Sequence, residues 1–558
     1  MRSDSLRGAV GLYLAFAAVV CFWRLGAVGL IHMEGMIVDG ARHMLASGNW
    51  AVPHVYGEIY TYKPALAYWL AAGALRLADP APEWLIRLPF AATGYFMGLA
   101  VLLLIARVSK PRVALVSAVA SVSGALFVQH VRIAEFDVPL AAGVGVAVAA
   151  ACVGLAVERS RVSIWLLAYA GLTAGFLAKG LPALMCFGPG LLAAAMAGGR
   201  MRRLFGWRHL VGVLLFLIAA GGYLTAVHRT AGAAAFDQPL DESLVRGLSW
   251  NVRQESDVLS VARDESGAAA RDVSARPIDA AFKSLTKPVD VWVSFLPWTL
   301  LFFFAFGRGG RAKDDDPDTS LLRSARWFLL AGVLVFMLVP THETRYFLPF
   351  AVPVGILCGV ILTREGGAPS RRMVACAVGA ILSALAMVVF GAGASTPPVP
   401  LFDRLALASG GALLLGFAVW SLARRRADRA VALMMLAAAG WLAAESLAAQ
   451  PRRADRGRDL RPQAAELKRS VPAGETVWLL GPSDPAGKHA SLYYYLGRPV
   501  QTFRPPGKLP PPSSYCLLSL DRMPPEGSLG LEEIVRVSSA RYTYLLGRCG
   551  PPPEAPGV

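Results

Sequence analysis

Five charged residues mark where this chain could do chemistry: Glu34, Lys63, Asp137, Lys179 and Arg345. Glu34 closes the first apolar run and Lys63 lies in YKPAL. Asp137 opens a run in RIAEFDVPL, Lys179 ends one in FLAKGLP, and Arg345 opens one in THETRYFLPF. A carboxylate can take a proton from an acceptor hydroxyl, while Lys and Arg stabilise the charge of a departing phosphate. Gathered at one membrane face, such a set suits transfer from a phosphate-linked donor. Each residue also has a plainer reading. Outside carboxylates are commonly just solvated, Lys and Arg near span ends snorkel to the interface, and Asp137 before Val138-Pro139 reads as a helix N-cap.

The elements that must position these residues are membrane helices. The 558 residues are 55% hydrophobic with a mean hydropathy of +0.48. Long apolar runs separated by short basic clusters predict an α-helical polytopic membrane protein, and no period-2 pattern recurs that would suggest a barrel. We read about 13 spans, each near the roughly 20 residues a bilayer requires. They fall at 9–30, 86–106, 113–130, 138–157, 162–178, 181–198, 209–228, 289–307, 325–340, 346–363, 373–392, 404–423 and 430–448. The first run shows no small-residue cleavage pattern at Phe22-Trp23-Arg24-Leu25 and reads as an uncleaved span.

The net charge of +17 does not point to nucleic acid, because Arg and Lys sit in short clusters between apolar runs. With the N-terminus cytoplasmic, every inside loop is basic, from Arg107/Lys110/Arg112 to Arg424/Arg425/Arg426/Arg429. The odd count then places the C-terminal tail outside, together with Glu34, Glu58, Asp137 and Glu343. Residues 1–448 form the membrane domain in this reading. Its first outside loop, 31–85, carries interfacial helices near 36–47 and 66–78. A polar segment at 229–288 holds Trp250, Arg253 and Glu255 and reads as a lid. Residues 449–558 read as a small soluble α/β domain, with a helix near 462–470, strand-like runs at 475–481, 493–500, 515–520 and 542–549, and a Pro-rich end. Cys516 and Cys549 lie in this tail, and an oxidising compartment would let them pair. The other cysteines lie in apolar runs as packing residues.

No Walker loop, dinucleotide Gly-rich loop or Ser nucleophile elbow stands out. His32, His54, His228 and His342 fall outside without metal-ligand spacing.

The segment MEGMIVDGARHMLASGNWAVPHVYGEIYTYKPALAYWL is similar to a motif of the polytopic GT-C glycosyltransferases that use polyprenyl-phosphate sugars, the branch of the aminoarabinose transferases and protein mannosyltransferases. WLIRLPF at 84–90, the Asp137 motif, GFLAKGLPAL at 175–184, FLPWTLL at 295–301 and RYFLPF at 345–350 follow in the family's order. The resemblance implies an inverting glycosyltransferase with a polyprenyl (undecaprenyl) phosphate-linked sugar as donor and a lipid A, glycan or protein as acceptor, at the outer face of a bacterial inner membrane. Glu34, Asp137 and Lys63 are the catalytic candidates it implies. Lys63, Lys179, Arg345 and Tyr346 would meet the donor phosphate, and Tyr60, Tyr62 and Arg253 the substrate. The family's first outside loop usually opens on two acidic residues, whereas here the pair reads Met33-Glu34. The base role therefore falls to Glu34 or to Asp137, or activity has been lost. Tyr62 replaces the acidic residue that often precedes the family's Lys-Pro lysine. No nucleotide or redox cofactor is implied, and a divalent metal stays open. The competing readings are a transporter or lipid flippase, for which no internal repeat is seen, and a noncatalytic assembly protein.

Overall fold

The computed structural model describes residues 2–31, 33–55, 57–157, 161–237, 294–295, 298–301, 316–338, 344–364, 459–480, 490–498, 500–503, 510–519, 531–539 and 543–550. The membrane part contains α1 (Arg2–Phe22), α2 (Glu34–Ser47), α3 (Leu66–Leu75), α4 (Glu83–Ile105), α5 (Pro111–Val122), α6 (Ala125–His130), α7 (Asp137–Ala156), α8 (Val162–Lys179), α9 (Leu181–Ala197), α10 (Trp207–Ala231), α11 (Pro317–Leu338) and α12 (Ala351–Arg364). Among the described residues, seven helices are long and apolar enough to cross a membrane: α1, α4, α7, α8, α10, α11 and the run Thr344–Thr363 that includes α12. The chain is a multi-span membrane protein. The expected spans at 373–392, 404–423 and 430–448 lie outside the described residues, as does most of 289–307, so thirteen is not a number these residues give.

The bundle is organised around α7, which is buried along nearly its whole length. Lipid tails are as apolar as the helix faces, so close packing rather than water exclusion must hold helices together there. Small residues allow it: a Cβ on Gly171 of α8 would lie 2.6 Å from the Gly143 carbonyl of α7. The α8–α9 reversal is made by Gly180 alone, at φ 75°. It leaves Lys179 at the tip of the hairpin.

Two expected spans differ from the structure. The first apolar run is helical only to Phe22, not to residue 30. Beyond it, Arg24 adopts φ 53°, and the carbonyls of Leu25, Val28 and Gly29 accept bonds from Arg87 instead of continuing the helix. The run at 113–130 is broken into α5 and α6 at Ser123-Gly124, where Gly124 is extended. The Ser123 hydroxyl bonds back to the Val119 carbonyl and accepts the Trp298 indole N–H at 3.1 Å. The other boundaries shift by a few residues, except that α11 begins well before residue 325.

The segment between α1 and α4 packs α2 against α3 around a two-stranded ribbon, β1 (His54–Val55) and β2 (Glu58–Ile59). The C-terminal unit has α13 (Arg461–Ser470), β3 (Val477–Leu480), α14 (Ala490–Leu496), β4 (Val500–Phe503), β5 (Tyr515–Ser519), β6 (Leu531–Ser538) and β7 (Thr543–Cys549). Its sheet runs β4-β3-β5-β7-β6, parallel across the first three strands and antiparallel after them. A disulfide joins Cys516 on β5 to Cys549 at the end of β7, with their Cα atoms 5.9 Å apart. The run at 493–500, expected as one strand, is the end of α14 followed by β4. Leu492 and Leu496 at helical spacing anchor α14 to the sheet, which leaves its tyrosines to face the segment between α1 and α4.

That docking is polar and specific. The Tyr494 hydroxyl donates to the Ala81 carbonyl at 2.5 Å, and the Arg42 guanidinium lies 4.7 Å from the centre of its ring. The Tyr495 hydroxyl accepts the Leu30 N–H at 2.6 Å and donates to Glu83 Oε1 at 2.9 Å. Burial, joined by Glu83, pushes this hydroxyl far above an ordinary phenol, so it stays a donor. A Cβ on Gly29 would fall 2.7 Å from Asp459 Oδ1, so a larger residue there would push the Asp459 carboxylate aside.

Candidate functional site

Two ion networks meet where the segment between α1 and α4 covers the helix ends. The first is a closed clasp. Glu34, at the start of α2, is wholly buried, and its two oxygens accept four hydrogen bonds: Ile31 N–H, Arg87 Nε, Arg87 Nη2 and Ala134 N–H, all at 2.7–2.8 Å. Arg87, in the first turns of α4, spends its remaining donors on the carbonyls of Leu25, Val28 and Gly29 at 2.6–2.8 Å. All five guanidinium N–H groups are used. A buried charge pair is tolerable only when its lone pairs and protons are satisfied in this way. The clasp fixes residues 25–34 over α4 and ties them to Ala134, three residues before Asp137.

The second network is open. Asp137, at the first position of α7, pairs with Lys179 from the α8–α9 tip, and its second oxygen lies 3.7 Å from Arg345 Nε. Arg345 Nη1 reaches Glu135 Oε2 at 3.9 Å, and the other oxygen of Glu135 meets His130 Nδ1 at the end of α6. The Tyr346 ring lies 4.3 Å from the Lys179 ammonium. Arg345 and Tyr346 stand on a 3₁₀ turn, Thr344–Phe350, held by the buried Phe347 and Phe350. Asp137 and Lys179 are about as buried as the clasp, whereas the side chains of His130 and Arg345 are 20% and 28% exposed. A network of this make-up can hold an anion against Lys179 and Arg345 while a base stands beside it.

Lys63 follows the β1–β2 ribbon and is half-buried. Its neighbour Pro64 packs 3.7 Å from where a Cβ on Gly180 would stand, which carries Lys63 to the hairpin tip bearing Lys179. Tyr60 and Tyr62 form a ring pair 5.1 Å apart. Arg253 lies outside the described residues. The structure therefore brings Asp137, Lys179, Arg345 and Tyr346 together, sets Lys63 at their edge, and holds Glu34 in the neighbouring clasp. Sequence reasoning missed Arg87, His130 and Glu135. Their signal was present: an arginine in the apolar opening of α4, and four titratable residues within QHVRIAEFD. Among the described residues, no three His, Cys, Asp or Glu side chains are arranged to hold a metal ion.

Residues 62–223 match the family model of the dolichyl-phosphate-mannose-protein mannosyltransferases. The chain is 28% identical over 330 residues to undecaprenyl phosphate-alpha-4-amino-4-deoxy-L-arabinose arabinosyl transferase 1 of Pseudomonas fluorescens (strain Pf0-1), covering 57% of this chain and 51% of that protein. It is 24% identical over 363 residues to an uncharacterized protein of Aquifex aeolicus (strain VF5), covering 63% of this chain and 64% of that one. The chain thus spans between half and two thirds of the length of these relatives. Its structure is similar to ArnT from Cupriavidus metallidurans bound to undecaprenyl phosphate, with a TM-score of 0.71 at 18% identity over 97% of this chain and 98% of that one. In fold the chain is therefore similar to ArnT, and residues 62–223 are similar in sequence to the dolichyl-phosphate-mannose-protein mannosyltransferases.

Proposed function

We propose that this protein is an inverting glycosyltransferase that moves a sugar from a polyprenyl (undecaprenyl) phosphate donor to a lipid A, glycan or protein acceptor at the outer face of the inner membrane. The observation that carries the reading is the open network, in which two cations, Lys179 and Arg345, are held by Asp137 and Glu135. In this reading the donor phosphate lies against Lys179, Arg345 and Tyr346, with Lys63 approaching from the outer loop. An acceptor oxygen attacks the anomeric carbon opposite the phosphate, and the carbon–oxygen bond to phosphate breaks. The leaving phosphate gains a charge that the preorganised cations stabilise, a contribution typically worth about 10²–10³ in rate per donor. Asp137 serves as the anchor of both cations and Glu34 as the fastening of the loop. Residues 1–448 would form the catalytic membrane domain, with 229–288 as a lid and Arg253 as a substrate contact, and 449–558 an outer domain. The Cys516–Cys549 disulfide supports placing that domain in an oxidising compartment.

The test is transfer by the full chain in proteoliposomes. Undecaprenyl phosphate linked to mannose, glucose or aminoarabinose is offered with lipid A, an oligosaccharide or a Ser/Thr peptide. Release of undecaprenyl phosphate with an anomerically inverted product is expected. Movement of the intact lipid across the bilayer without any transfer would overturn the reading in favour of a flippase.

A further inference from the structure

Resting on that reading, we infer that His130 and Glu135 form a carboxylate–imidazole dyad whose His130 Nε2 takes the proton of an acceptor hydroxyl. The chain needs such a group. The position before Glu34 is Met33, Glu34 itself has four bonds on its two oxygens, and Asp137 faces Lys179 on one oxygen and Arg345 on the other. A base must offer a lone pair that substrate can reach.

His130 meets that condition. Its Nδ1 is turned to Glu135 Oε1, and among the described residues no hydrogen bond is made to Nε2. The side chain is 20% exposed where Asp137 and Lys179 beside it are nearly closed off. A carboxylate on Nδ1 fixes the tautomer that leaves the Nε2 lone pair free and stabilises the imidazolium that forms, as in other carboxylate–histidine pairs. The break between α5 and α6 has a purpose on this account. It starts a short helix whose last residue, His130, ends beside Glu135.

The step balances. The acceptor O–H proton moves to His130 Nε2, the acceptor oxygen bonds to the anomeric carbon, and the anomeric C–O bond breaks. The electron pair leaves on the polyprenyl phosphate against Lys179 and Arg345, and the imidazolium returns its proton to water. A base of this kind is needed when the nucleophile is a hydroxyl, since a phosphate oxygen is already ionised, so the dyad commits the acceptor to a hydroxyl. The charged groups facing His130 are Glu135, Asp137 and Arg345.

The experiment measures kcat, KM and the pH profile of transfer for wild type, His130→Gln and Glu135→Gln in proteoliposomes, with the donor and acceptor panel above. His130→Gln is expected to lower kcat by about 10²–10⁴ while KM stays within a few fold, and to abolish the acidic limb of the profile. In Glu135→Gln that limb should move to lower pH, because the imidazolium loses its carboxylate. Imidazole added to His130→Gly should restore part of the rate. Wild-type kcat and an unchanged profile in His130→Gln would overturn the dyad and leave the glycosyltransferase reading standing. A wild-type chain that transfers from none of the donors would overturn both.

Discussion

The Glu34–Arg87 clasp and the His130–Glu135–Arg345–Asp137–Lys179 network lie side by side and use the same chemistry, yet they are built to opposite ends. In the clasp every donor and acceptor is spent on a partner, and several partners are backbone groups that cannot leave. In the open network the partners are side chains, the Arg345 distances stretch to 3.7–3.9 Å, and its two outer members reach solvent. A saturated charge pair holds a loop in place. One built of side chains, with two cations in it, can receive a phosphate. The lesson is that burial of an acidic residue does not distinguish a fastening from a reacting group, whereas the count of its bonds does.

The sharpest break of this contrast is removal of one clasp partner. Arg87→Ala or Glu34→Ala leaves an unpaired buried charge and should cost about 3–5 kcal/mol, seen as loss of monodisperse folded protein in detergent. Arg345→Ala should lower kcat by about 10²–10³ in the transfer assay, with the protein still recovered folded because its side chain is 28% exposed and its ion contacts are long. The docking contacts test how far the clasp extends. Tyr495→Phe strands the Leu30 N–H and should cost about 1–3 kcal/mol, measured as faster hydrogen exchange in residues 25–34. The smallest effect concerns Asp459. Burial raises its carboxyl, but its hydrogen bonds to Arg461 outweigh that and hold it below the ordinary range. A depressed folded value contributes stability above the unfolded pKa of about 3.9 and loses it as pH falls through the folded one. Limited proteolysis should therefore release the C-terminal unit more readily at low pH than at neutrality, and an Asp459→Asn variant should lack that pH dependence.

The membrane helices were legible because apolar runs such as 138–157 and 162–178 are long, uniform and bounded by charge. Asp137, Lys179 and Arg345 were legible for the same reason, since charges at span ends stand out against apolar sequence. Which of them meet was not, because helix crossings made by Gly143 and Gly171 decide the reach of side chains far apart in the chain. Arg87 sits in WLIRLPF, where the sequence shows an arginine but not the three carbonyls that the unwound residues 25–29 turn toward it. His130 and Glu135 were hidden by the break at Ser123-Gly124, which an unbroken apolar run does not reveal. The tyrosines of 493–495 read as strand by propensity, and packing of Leu492 and Leu496 on the sheet made them helix instead.

The central claim is that the clasp holds and the open network reacts, and Glu34→Gln tests it most directly through its thermal midpoint and its transfer rate per folded molecule. The account predicts a lowered midpoint with kcat of the folded fraction within about tenfold of wild type. A rate reduced by about 10³ or more at an unchanged midpoint would make Glu34 a reacting group and contradict it.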